Sequence, residues 1–283
     1  MLGTHSISAS NSKVIHLHDD RALGYAEYGD SQGKTLFYFH GHPGSRFEAR
    51  FLADAAMQAG MRLIGIDRPG MGLSSYKTGR HILDWPNDVL ELADSLQIDH
   101  FAVVGFSGGG PYAAACAYKI PERLTTCGIV SGVGHVGLFL SFVSRWLPWL
   151  FLPMTKRLFQ DEPRAQETLA RFAGRWAEPD RRSFLQPGIK ELMAASLVEA
   201  LRPGARGAAY DGTLLGGSWG FNLEEITFPI CLWHGELDKN IPVESVRVIA
   251  ERIPHLKATY YPNESHISLI VNRGKEITAT LMT

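Results

Sequence analysis

The sequence is short of cysteine. Its 283 residues hold three, Cys116, Cys127 and Cys231, with no C-x-x-C spacing. An odd, sparse set is neither a disulfide framework nor a zinc site. Reduced core thiols suit a cytoplasmic protein. The chain also lacks an excess of either charge, with a formal net charge of -1, so nothing in the balance favours nucleic acid or an anionic surface as partner. No H-x-x-x-H pair and no spaced carboxylate cluster is present, so no metal is expected. No G-x-G-x-x-G follows an early strand. "GVGHVG" (132–137) imitates one but leaves a late strand without the acidic partner at the right distance, so no nucleotide cofactor is expected. The first twenty residues carry no apolar h-region, so no cleaved secretory signal is expected. One long apolar run exists, Val136–Pro153, but Arg145 and Pro148 interrupt it. A helix pair broken at Pro148 is expected there rather than a membrane span.

What is present is ordinary globular composition, 45% hydrophobic and 20% charged, with an alternating rhythm. "KVIHL" and "RALGYAEYG" predict two strands around Asp19-Asp20. "TLFYF" predicts a third, and "FEARFLADAAMQAG" a helix closed by Gly60. "RLIGID" predicts a fourth strand before the glycine-rich "RPGMGLSSY". Val89, Leu92, Ala93 and Leu96 fall on one helix face. "HFAVVGF", "GGPYAAACAY" and "LTTCGIVSG" predict strand, helix, strand. After an interval without strong strands, "FPICLWHGELD", "VESVRVIAERIP", "KATYYPNESH" and a helix from about Ile267 resume the order. Continuous apolar strands alternating with helices predict a mostly parallel sheet flanked by helices, an α/β fold. Residues 134–222 are expected as a helical cap inserted in a core formed by 1–133 and 223–283.

Two stretches read G-x-S-x-G: "GFSGG" around Ser107 and "GGSWG" around Ser218. A nucleophilic serine on such a pentapeptide needs a buried strand before it and a helix after it. Ser107 has both. Gly105 and Gly109 leave room where strand and helix crowd, and Pro111 suits the first helical turn. Ser218 has a polar approach and leads to another strand, so it reads as a loop. A serine hydroxyl needs a base, and the base an orienting acid. Of the eleven histidines, His266 follows the last predicted strand, where a loop can bring it over Ser107. His234 is expected inside the packing, and His81, His100, His135 and His255 have no matching role. For the acid, "HGELDKNIP" offers Asp238, deeper in its loop, with Glu236 as the alternative.

"HGHPG", "DRPGMGLS", "GFSGG", "HGELDKNIP" and "ESH" together resemble the α/β-hydrolase fold superfamily along nearly the whole chain. The resemblance implies the α/β-hydrolase fold with an inserted helical cap. It implies Ser107 as nucleophile, His266 as general base and acid, and Asp238 as orienting carboxylate. It implies an oxyanion hole built from the backbone N–H groups of His42 and Gly108. Serine at the elbow argues against epoxide hydrolases and haloalkane dehalogenases, which use aspartate there. Proline iminopeptidases carry "GGSWG" at the elbow, whereas here it lies in the presumed cap.

Phe106 and Trp219 are the expected substrate-contacting residues, although Trp219, with Phe221, reads first as an anchor of a loop returning to the sheet. Asp67 and Arg68 are expected to tie a turn together, with anion binding by Arg68 as the alternative, and Arg46 reads the same way. An apolar cap (136–159) suggests a hydrophobic small-molecule substrate. The bond stays open among ester, thioester, amide and carbon–carbon; an ester hydrolase is the expectation. A C–C hydrolase or tailoring enzyme, an aminopeptidase using Glu178, Asp180 or Glu199 to clamp an amine, and a non-catalytic binding protein are the alternatives. No nucleic acid, membrane or cofactor partner is expected.

Overall fold

The computed structural model describes residues 11–132 and 157–282. Its frame is an eight-stranded sheet in the order β1-β2-β4-β3-β5-β6-β7-β8. The strands are β1 (Ser12–His16), β2 (Ala22–Gly29), β3 (Lys34–Phe39), β4 (Met61–Ile66), β5 (Phe101–Phe106), β6 (Leu124–Val130), β7 (Ile230–Gly235) and β8 (Leu256–Tyr261). β2 runs antiparallel to both β1 and β4, and the pairs from β4 to β8 are parallel.

Both faces of the sheet are covered, which is why its strands read as unbroken apolar runs. Phe37, Phe39 and Val103 face a core shared with α2 (Trp85–Ser95), α3 (Gly110–Lys119) and α8 (Val243–Ala250). Their neighbours Leu36, Tyr38, Ala102 and Val104 face the other core, against α1 (Ala53–Gln58) and α9 (His266–Leu281). Side chains alternate along a strand, so consecutive hydrophobic residues serve both layers.

The segment expected as one helix after β3 is two pieces, a 3-10 turn over Arg46–Phe51 and then α1. The turn is pressed onto β4: a β-carbon on Gly65 would lie 2.2 Å from the Arg46 carbonyl. The Arg46 N–H is also drawn away to Asp67, at 2.7 Å. Between β6 and β7 the described chain forms α4 (Glu162–Ala173), α5 (Glu178–Phe184), α6 (Ile189–Ala200) and α7 (Arg206–Leu215). The apolar run 136–153 and His135 lie outside the described residues. No helix among the described residues is long and apolar enough to cross a membrane. All three cysteines are free, Cys116 and Cys127 buried and Cys231 half-buried.

The strand order locates a crevice. From β3 the chain steps to β4 on one side, then crosses to β5 on the other. Loops leaving β3 and β5 therefore diverge, and ligands of open α/β sheets bind at such a switch point. Here α3 starts very close to the strand ends. A β-carbon on Gly109 would sit 2.1 Å from the Phe39 carbonyl, and one on Gly105 2.3 Å from that of Gly109. Gly109 has ordinary helical dihedrals, so its requirement is for space alone. Gly79 has φ +67° and open space around it. We expect Gly109→Ala to lose about 3 kcal/mol or more from overpacking, and Gly79→Ala only about 1–2 kcal/mol from its backbone angle. Urea denaturation of both variants checks this; equal, small losses would contradict it.

Candidate active site

Ser107 sits at the first position after β5, where the chain turns into α3. Its φ is +51°, in the left-handed region that costs a non-glycine residue about 1–3 kcal/mol. The turn lifts its side chain above the sheet's carboxyl edge. Ser218, in contrast, is on an exposed loop after α7, and its hydroxyl accepts from Gly220 N–H, at 3.4 Å.

The loops after β7 and β8 converge on Ser107. His266 is the first residue of α9. Its Nε2 lies 2.8 Å from Ser107 Oγ, and its Nδ1 lies 2.7 Å from Asp238 Oδ2. A carboxylate only accepts, so Nδ1 carries the proton and Nε2 is left to accept from the serine hydroxyl. Asp238 is fixed through its other oxygen, which accepts the N–H groups of Asn240 and Ile241 at 2.8 and 2.9 Å. Glu236, the alternative acid, turns outward to Arg247 at 2.9 Å. Burial opposes charge on both partners. Even so, Asp238 holds the imidazole above its ordinary range, with Asp180 and Glu48 adding to it. The imidazole in turn holds Asp238 below its own range. His234 is fully buried against the Ile241 carbonyl, at 3.0 Å, as the sequence led one to expect.

The loop after β3 forms the opposite wall. Gly41 lies against Ser107, its virtual β-carbon 3.5 Å from the serine Cβ. His42 packs on Gly108: a β-carbon on Gly108 would fall 3.2 Å from His42 N. The two backbone groups expected as oxyanion donors are thus side by side, next to the serine.

A buried ion cluster supports this loop. Arg68 donates to the His40 carbonyl, and to that of Gly41 at 2.9 Å. Its guanidinium also pairs with Asp211 of α7 at 2.9 Å. Asp211 further accepts from Arg80 at 2.5 Å, from Tyr112 at 2.6 Å and from His42 Nδ1 at 3.1 Å. Burial pushes the Asp211 carboxyl up, but Arg68, Arg80 and His42 hold it well below its usual range. His40 accepts the Arg68 N–H at Nε2, 3.1 Å, so its Nδ1–H donates to the Gly41 carbonyl at 2.8 Å. Burial and Arg68 keep that ring neutral, well below the ordinary histidine range.

Arg68 therefore does tie a turn, but not to its neighbour. Asp67 faces the other way and pairs with Arg46 at 2.6 Å. Adjacent residues in extended chain point to opposite sides, so each takes a partner distant in sequence. With no exposed surface, Arg68 presents nothing to an anion. Arg46 is equally committed, to Asp67 and to Glu199 at 2.8 Å.

Glu48 was not visible in the sequence. From the 3-10 turn it reaches under the loop and accepts the Gly41 N–H at 2.6 Å. Gly44 folds over its other oxygen so closely that a β-carbon there would lie 2.2 Å away. Asp211 was missed, and Asp180 named only as an amine clamp, for the same reason: their partners are far apart in the chain. Phe106 is buried, with its ring 5.3 Å from that of His266. Trp219 packs beside Phe221, which stacks on Tyr118 of α3, and its indole N–H donates to the Leu215 carbonyl at 3.4 Å.

Among the described residues no cluster of His, Cys, Asp and Glu could hold a metal. The arrangement can pass a proton from the serine hydroxyl to an imidazole, with the backbone of His42 and Gly108 packed together beside the serine.

Comparison with known proteins identifies the fold. Residues 34–273 match the family model of the alpha/beta hydrolase fold. The chain is similar to a bifunctional esterase/perhydrolase of Acinetobacter calcoaceticus, 26% identical over 253 residues, covering 86% of this chain and 88% of that protein. It is 24% identical over 226 residues to a pimeloyl-[acyl-carrier protein] methyl ester esterase of Legionella pneumophila, covering 77% and 81%. Among solved structures, a hydrolase from Pseudomonas aeruginosa shares the fold with a TM-score of 0.72 at 20% identity, covering 97% and 99%.

Glu48 gives this wall a pH dependence. Burial lifts its carboxyl to about 7, against the Gly41 N–H, Arg68 and His266, which lower it. A carboxyl whose pKa is raised on folding contributes stability below its unfolded value of 4.5. That contribution is lost as the pH rises through about 7. Glu48→Gln keeps the acceptor for Gly41 and cannot ionise. Its stability relative to wild type should therefore rise by about 2 kcal/mol between pH 5 and pH 8. Urea denaturation at the two pH values measures the difference; a constant difference would contradict it.

Proposed function

Because the chain belongs to the α/β-hydrolase family, we propose that it is a serine hydrolase cleaving a carboxylic ester of a hydrophobic small molecule. The observation that carries this reading is the line Ser107 Oγ, His266, Asp238, with contacts of 2.8 and 2.7 Å. Ser107 Oγ attacks the ester carbonyl while His266 Nε2 takes its proton. Asp238 keeps the imidazole in the required tautomer and stabilises the imidazolium. The N–H groups of His42 and Gly108 receive the oxyanion, where losing one donor costs ~10²–10³ in rate in a comparable enzyme. His266 then protonates the leaving alcohol, and water, deprotonated by the same ring, releases the acid and restores the serine.

Two relatives named as esterases support the choice of ester. The hydrophobic substrate rests on the apolar sequence of 136–153. The acids that the aminopeptidase alternative would use as a clamp have other partners. Glu199 is paired with Arg46, Glu178 with Arg182, and Asp180 with the first turn of α9.

The test is p-nitrophenyl ester hydrolysis across acyl lengths. Wild type should turn over, and Ser218→Ala should match it. Ser107→Ala and His266→Ala should each lose at least ~10⁴-fold. kcat/KM should rise with pH through a value above 6.5, the ordinary position for the histidine that must be neutral to act. A dead Ser218→Ala beside an active Ser107→Ala would refute the assignment. An inert wild type would remove the ester reading.

A further inference from the structure

The helix that carries His266 is not capped by its own sequence alone. The N–H groups of Ile267 and Ser268, the two residues after His266, point at Oδ1 of Asp180, at 2.8 and 2.9 Å. The Ser265 hydroxyl, immediately before His266, donates to Asp180 Oδ2 at 2.8 Å. Asp180 lies in α5, inside the segment inserted between β6 and β7, and is 4% exposed. One buried carboxylate thus grips the residues on both sides of His266, from an element 85 to 88 positions away. The Ser131 hydroxyl adds a hold on the His266 carbonyl at 3.2 Å.

The contact has an electrical side. The start of a helix carries partial positive charge, which disfavours an imidazolium placed there. The ring must become an imidazolium during turnover. A carboxylate on that first turn offsets the helix terminus. The other titratable groups facing the ring are Asp238 from the β7 loop, Glu48 from the 3-10 turn and His234 from β7. Glu48 and Asp180 act at a distance on the ring, and only Asp180 also fixes its backbone.

We propose that Asp180 is a positioning residue for His266, so that the inserted helices set the geometry and basicity of the catalytic base. This deepens the hydrolase reading and rests on it. It makes the insertion part of the catalytic apparatus rather than a cover alone.

The experiment compares Asp180→Ala, Asp180→Asn and the same-helix control Glu178→Gln on a p-nitrophenyl ester. Rates are normalised to active sites titrated with a fluorophosphonate. Asp180→Ala should lower kcat per active site by about 10²-fold, as a misplacement of about 1 Å does, with KM nearly unchanged. Asp180→Asn keeps the oxygen facing the two N–H groups, and its amide donates to the Ser265 hydroxyl. It should recover most of kcat, but with the acid limb of the pH profile moved to lower pH, because the charge is gone. Glu178→Gln should behave as wild type.

Wild-type kcat and pH profile in a folded Asp180→Ala would overturn the proposal. So would a loss confined to KM, or one accounted for by fewer titratable sites. If Asp180→Ala does not fold, the acid limb of Asp180→Asn decides: an unmoved limb overturns the proposal. His266→Ala in the same assay separates the two levels. If it is dead while the Asp180 variants are unaffected, only this proposal falls. If it remains active, the reading of the base falls, and this proposal with it.

Discussion

The site depends on how closely one helix start approaches the ends of three strands. α3 begins where its glycines touch the carbonyls of Phe39 and of Gly132, the latter just beyond β6. No side chain fits between. The chain can make the passage from β5 to α3 only through a sharp turn, and Ser107 absorbs it with φ +51°. Close packing costs little in itself, since interiors are dense everywhere. What it does here is convert a covering helix into a fixed pedestal. The serine hydroxyl stands clear of the sheet, and Gly108 presents its backbone beside His42.

Charge is arranged around that pedestal with the same economy of space. Arg46, Arg68 and Arg80 are each almost wholly buried, and every one has a carboxylate: Asp67 with Glu199 for the first, Asp211 for the other two. Removing one partner of such a buried pair leaves a charge without compensation, at a cost of about 3–5 kcal/mol. Asp211 and Glu199 come from the helices inserted between β6 and β7, while the arginines come from the loops after β3 and β4 and beyond. The seam between insertion and sheet is therefore ionic where it meets the loop around His42. Where it meets the start of the His266 helix, the carboxylate of Asp180 makes the contact.

The sequence made the sheet and the Ser107, His266 and Asp238 positions legible because each depends on local signals. Each of the three follows a recognisable strand, and parallel strands deliver their following loops to one edge. Asp238 could be preferred to Glu236 on depth in the loop, and the structure turns Glu236 out to Arg247. Asp180, Asp211 and Glu48 could not be read this way. Each is an acid in a helical stretch without a motif around it, and only tertiary folding supplies its partner. Asp67 and Arg68 misled by adjacency, since neighbours in extended chain face apart. Trp219 packs beside Phe221, which stacks on Tyr118, in keeping with the reading of its loop as one anchored by the two aromatics.

The central claim is that Ser107 is a nucleophile activated by His266. A fluorophosphonate reacts with an activated serine and leaves a stable adduct. Peptide mapping by mass spectrometry after brief treatment locates it. The account predicts stoichiometric modification on Ser107, slowed strongly in His266→Ala and absent in Ser107→Ala. An adduct on Ser218 or elsewhere, or no adduct in folded wild-type protein, would contradict it.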